Sequence, residues 1–112
     1  MSNELFKQSV NQMAEEVYNT SESKGFWEKD EGDLHHFCLI HSEISEATEA
    51  VRRQESRKSE KIPDFLEVED ELADAVIRIL QLCHKRGWRI AEAIVSKNAY
   101  NKTRKYLHGK RF

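Results

Sequence analysis

Helix breakers are scarce in this chain: one proline, Pro63, and four glycines stand among 112 residues. Long helices are the natural outcome, because the apolar residues between those breakers recur at helical spacing. Phe6, Val10, Met13 and Val17 mark a first helix, expected over Asn3 to Tyr18. Phe37, Ile40, Ile44, Ala47 and Val51 mark a second, starting near Asp33, a residue type that caps helix N-termini well. Pro63 is expected to open a third helix, where its missing N–H costs little, with Phe65, Leu72, Val76, Ile79 and Cys83 as the core stripe. Gly87, following Lys85 and Arg86, reads as a C-terminal cap. A fourth helix is expected from about Ile90 to Arg104, with a weak apolar side of Ala91, Ile94, Val95 and Asn98. No segment alternates with strand period. The expectation is an all-α, four-helix-type bundle forming a single domain over residues 1–112.

A chain of this size hides only about two-thirds of its unfolded surface. Its hydrophobic content is 38% against 34% charged residues, so the core is expected to be completed by oligomerisation, as a homodimer or homotetramer. The net charge of −2 gives no general attraction to polymeric nucleic acid or to an anionic membrane. No apolar run approaches the ~20 residues of a membrane helix, and no N-terminal targeting signal is evident, so a cytoplasmic location is expected. Cys38 and Cys83 fall within helical apolar patterns and read as buried, reduced thiols.

The segment between the first two helices is polar apart from Phe26 and Trp27, which either plug the loop onto the core or form a pocket wall. The charged run Arg52 to Lys61 reads as an exposed connection.

Two acidic pairs stand out. Glu43 and Glu46 are three apart on the second helix, and Glu71 and Asp74 are three apart on the third. Such pairs share a helix face. If the helices are neighbours, the four carboxylates converge and repel one another unless a cation lies among them. Hard oxygen donors suit Mg²⁺, with Mn²⁺ possible, and Mg²⁺ commonly takes further oxygens from a phosphate chain. With 20 acids in the chain, solvated helix faces explain the same spacing, through pairs such as Glu46 with Arg52 or Arg53 and Asp74 with Arg78. Lys97, Asn101 and Arg104 step by four and three along the fourth helix, which offers either a phosphate grip or a solvated basic helix end.

Taken in order, His41-Ser42-Glu43-Ile44-Ser45-Glu46-Ala47, Glu71-Leu72-Ala73-Asp74 and Lys97-x3-Asn101-x2-Arg104 resemble the MazG-like all-α nucleoside triphosphate pyrophosphohydrolases. The Gly25-Phe26-Trp27 loop and the ending Asn101 to Lys110 are similar to segments of small stand-alone members, so the resemblance runs from about Gly25 to the end. It departs at Ser42, where the family has the first of two glutamates. The resemblance implies hydrolysis of a nucleoside triphosphate between the α and β phosphates, giving a monophosphate and pyrophosphate. It implies Mg²⁺ on Glu43, Glu46, Glu71 and Asp74, and substrate contacts from Lys97, Asn101, Arg104, Trp27 and Phe26. Glu46 is the choice for general base. His35 and His36 fall at a helix start, and His41 and His84 read as core-edge residues. The alternative is a non-catalytic helical interaction or regulatory module, for which Glu71 and Asp74 would be dispensable.

Overall fold

A computed structural model describes residues 3–109. It is helical throughout: α1 spans Asn3–Ser23, α2 Asp33–Gln54, α3 Glu67–Arg86 and α4 Ile90–Lys102, followed by a 3₁₀ turn at Tyr106–Gly109. Among the described residues there is no strand, and a single bridge joins Lys58 to Leu66. No described helix is long and apolar enough to cross a membrane.

The helix α3 is central, packing on α2 and on α1, while α4 rests on α1. Lys85 reaches the Tyr18 hydroxyl and Asn11 reaches Glu92, so the chain returns along α1 in the opposite direction. Gly87 ends α3 in the left-handed conformation (φ 72°), as its sequence position predicts. The N–H of Trp88 then donates to the Cys83 carbonyl, which closes the helix end.

The start of α3 differs from the sequence expectation. Pro63 lies in a turn closed by the Phe65 N–H donating to the Ile62 carbonyl, and the helix begins only at Glu67. The physical reason is the cap: the Glu69 carboxylate accepts from the Leu66 N–H at 2.8 Å, and no comparable cap serves Pro63. The start of α2 falls at Asp33 as expected, but Gly32 is the cap (φ 100°), and the Asp33 carboxylate takes Arg86 instead. The first helix runs five residues beyond Tyr18, to Ser23, and α4 stops at Lys102, which leaves Arg104 past its end.

The core is made of small residues. Ala14, Ala47, Ala50, Ala75 and Ala91 are buried with Leu80, Leu82 and Cys83, and no large side chain is fully buried. The stripes expected to form the core are half uncovered: Met13, Phe37, Ile44, Val51, Phe65, Leu72, Val76 and Ile94 are all exposed. Ala47 and Ala50 of α2 and Ala75 of α3 are buried where these helices pack, while Phe37 and Ile40 meet Ile79 and Leu82 around a shared apolar pocket. Cys83 is buried as expected, whereas Cys38 is exposed. His41 and His84, read as core-edge residues, are also exposed. The accessible surface is 8685 Å², against about 6,400 Å² for a compact monomer of this mass. The radius of gyration is 16.3 Å, against about 13 Å for a compact chain of this length.

Candidate metal centre

The alanine contact between α2 and α3 also sets the acids. Ala47 follows Glu43 by one turn and Ala75 follows Glu71 by one turn, so the same close approach turns both acidic pairs into one cavity. One carboxylate oxygen each from Glu43, Glu46 and Glu71 lies within 4.8 Å of the others. Asp74 lines the same cavity, within hydrogen-bonding reach of Glu43, and Glu46 stands in the same relation to Glu71. The four carboxyl groups thus crowd one cavity. Two touching carboxylates share a proton or a cation, since both cannot ionise freely.

The electrostatics carry that strain. Burial, then the contact with Glu46 and the charges of the other acids, pushes the Glu71 carboxyl up to about 7. Burial, then the charge of Asp74, raises Glu43, which is only 8% exposed, while Arg78 opposes the shift. Arg78 Nε stands 3.5 Å from Glu43 Oε1. The other arginines expected to neutralise these acids go elsewhere: Arg53 bonds Glu67 and Arg52 approaches Glu49. Glu46 remains exposed toward the opening. Ser42 has turned away, its hydroxyl donating to the Leu39 carbonyl of its own helix.

The cavity measures about 570 Å³, a size that suits a nucleotide-scale ligand. Phe26, 68% exposed, forms part of its wall. Trp27 does not. Its ring is buried, stacked on His36 at 4.7 Å, and its Nε1 donates to Ser21 Oγ. The two aromatics therefore divide the two roles that the sequence left open, one as wall and the other as plug. The loop carrying them is tied to the C-terminal end of α3 by Arg86, which donates to both Asp30 oxygens and to Asp33. His36 Nε2 lies 3.1 Å from Asp30 as well, so this histidine at the start of α2 is taken up by the loop.

Lys97, Asn101 and Arg104 are not brought to this cavity within one chain. The C-terminal half of α4 lies beside Asn3 and Phe6, whereas the acids face Val17 to Lys24 of α1, about 16 Å further along that helix. Lys97 and Arg104 both approach the Tyr100 ring, at 5.0 and 5.7 Å, so they stay near one another despite the early end of α4. The Asn101 amide oxygen is buried with no hydrogen-bond partner among the described residues. Lys110 and Arg111 of the basic end lie outside the described residues. Two lysines that no sequence signal singles out, Lys24 and Lys61, line the cavity, together with Arg78, expected only as a partner of Asp74. Each lysine reaches the cavity from a loop or helix end, where no periodicity marks it. The chain matches no protein-family model, no curated protein and no solved structure.

Proposed function

We propose that the chain is a Mg²⁺-dependent nucleoside triphosphate pyrophosphohydrolase that cleaves between the α and β phosphates, releasing a nucleoside monophosphate and pyrophosphate. The observation that carries the reading is the convergence of four carboxyl groups in one open cavity that Lys24, Lys61 and Arg78 also line. The donor set fits a hard divalent cation: it is all oxygen, it is crowded, and its ionised form lacks enough local arginine to balance it. Glu43, Glu46, Glu71 and Asp74 would hold the ion, and Mn²⁺ could replace Mg²⁺. Bound there, the ion would neutralise phosphate charge and acidify water.

The chain's own groups supply the rest. Glu46, the most exposed of the four, is the base that accepts a proton from water, with Glu71 beside it. Arg78 fixes Glu43. Phe26 offers a face on which a base can stack. Phosphoryl chemistry of this kind asks for positioning and charge balance rather than a covalent nucleophile.

The reading includes a second copy of the chain. Phe37, Ile44 and Val51 repeat every seven residues on α2, Leu72 and Val76 stand four apart on α3, and all five are exposed. A heptad-spaced apolar seam is the form in which helices pair, and two such faces together make a four-helix bundle. The surface excess over a compact monomer is of the size that an obligate interface buries. Assembly as a homodimer or homotetramer also gives Lys97, Asn101 and Arg104 a route to substrate, from a neighbouring copy.

The test is incubation of the purified chain with a panel of standard and modified NTPs and dNTPs, with Mg²⁺ or EDTA, and chromatography of the products. Mg²⁺-dependent monophosphate and pyrophosphate, lost in Glu71→Gln, supports the reading. No turnover of any nucleotide, by wild type and variant alike, returns the chain to the interaction-module alternative.

A further inference from the structure

The connection from α2 to α3, expected from sequence to be an exposed charged run, is closed around one buried side chain. Ser59 is 4% exposed. Its hydroxyl donates to Asp70 Oδ2 at 2.6 Å and accepts from the N–H groups of Lys61 and Ile62, both at 3.1 Å. Its own N–H donates to the Phe65 carbonyl, and the N–H of Glu67 donates back to the Arg57 carbonyl. The hydroxyl therefore uses its donor and its acceptor capacity at once, and the backbone of Lys61 is fixed relative to the first turn of α3.

That fixed backbone puts the Lys61 side chain on the wall of the acid cavity, and Lys24, from the end of α1, lines the same cavity. Among the described residues, neither lysine has an ion-pair partner within 4 Å, although four carboxyl groups line the same space. Both lysines are exposed, so their long side chains can meet an anion that enters the cavity. The cavity sets Glu43, Glu46, Glu71 and Asp74 against Lys24, Lys61 and Arg78. Adding one divalent cation turns that balance from net negative to net positive, the sign that a phosphate chain requires.

We propose that Lys61, aimed by the Ser59–Asp70 hydrogen bond, binds the phosphate chain of the substrate, with Lys24 as the second cation of the same grip. This rests on the pyrophosphohydrolase reading and deepens it. Lys61 supplies phosphate recognition from the chain's own loop, and Ser59 is a positioning residue that acts through it.

The experiment uses the full chain and two probes. Binding of inorganic tripolyphosphate with Mg²⁺ is measured by calorimetry, and binding of Mn²⁺ alone by electron paramagnetic resonance. Lys61→Met is expected to weaken tripolyphosphate binding by about tenfold, as loss of one charge-assisted contact does, and to leave Mn²⁺ binding equal or tighter. Lys61→Arg should restore most of the loss. Ser59→Ala is expected to raise KM for the nucleotide by about fivefold with little change in kcat, and to add nothing further in the Lys61→Met background. An additive effect would give Ser59 a general structural role and overturn its positioning role. Tripolyphosphate binding by Lys61→Met within twofold of wild type, while hydrolysis and Mn²⁺ binding persist, would overturn the inference and leave the function standing. Absence of both hydrolysis and Mn²⁺ binding in wild type would overturn the function and this inference with it.

Discussion

Trp27 Nε1 donates to Ser21 Oγ at 2.8 Å, and this bond decides which of two neighbouring aromatics faces the cavity. With the indole turned inward against α1, the peptide geometry turns Phe26 outward onto the cavity wall. The two positions should separate cleanly. Phe26→Ala is expected to leave the melting temperature nearly unchanged and to raise KM for the preferred nucleotide by about tenfold, consistent with the loss of one stacking contact. Trp27→Ala should destabilise the fold by about 3 kcal/mol, as truncation of a buried aromatic does, read by denaturant titration.

Arg86 holds the same loop from the other side. Its hydrogen bonds keep the Asp30 carboxyl well below the usual carboxylate range, and the Gly32 N–H adds to that. A depressed folded value means stability present above the ordinary 3.8 of this group and lost as pH falls through the folded value. Arg86→Met should therefore melt lower than wild type at neutral pH. The gap should shrink as the pH falls below about 4, because Asp30 then protonates in the unfolded chain while the native carboxyl stays ionised. Melting curves from pH 2 to pH 7 check both the direction and the window.

Glu71 has the opposite sign. Its folded value, raised from 4.5 to about 7, makes its contribution to stability fully present below 4.5 and lost as pH rises through about 7. In metal-free buffer, Glu71→Gln should gain stability relative to wild type as the pH climbs through that window. Millimolar Mg²⁺ should narrow the difference by stabilising the wild type, since a ligand that binds only the native state raises its stability. Scanning calorimetry at several pH values, with EDTA and with Mg²⁺, reads both effects.

The uncovered face of α2 and α3 predicts assembly. Wild type should run as a dimer or tetramer by light scattering at micromolar concentration. Ile44→Glu with Val76→Glu should shift it toward monomer, because both residues are exposed in the single chain and the proposed assembly would bury them. A wild-type monomer at that concentration would remove the second copy from the account.

Much of this was legible in the sequence. Few breakers and helical spacing gave four helices near their observed limits, and the Glu43–Glu46 and Glu71–Asp74 spacings pointed to one shared cavity. What failed did so for tertiary reasons. Periodicity shows that Phe37 and Ile44 share one face of α2 and Leu72 and Val76 one face of α3, yet it does not say whether those faces meet this chain or another. Ala47, Ala50 and Ala75, weak in any hydrophobicity count, are buried where α2 and α3 pack. Pro63 carried a valid helix-start signal that a better cap three residues later, at Leu66, outcompeted. Lys24 and Lys61 had no spacing to betray them, since a loop closed by Ser59 brings one of them to the acids.

The measurement that bears most directly on the central claim is a Mn²⁺ titration followed by electron paramagnetic resonance, on wild type and on Glu71→Gln, each with and without inorganic tripolyphosphate. The account predicts that wild type removes Mn²⁺ from the free signal and that Glu71→Gln, with unchanged helical circular dichroism, does so at least tenfold more weakly. Equal binding by the two proteins, or none by wild type even with tripolyphosphate present, would contradict the assignment of Glu43, Glu46, Glu71 and Asp74 as a cation site.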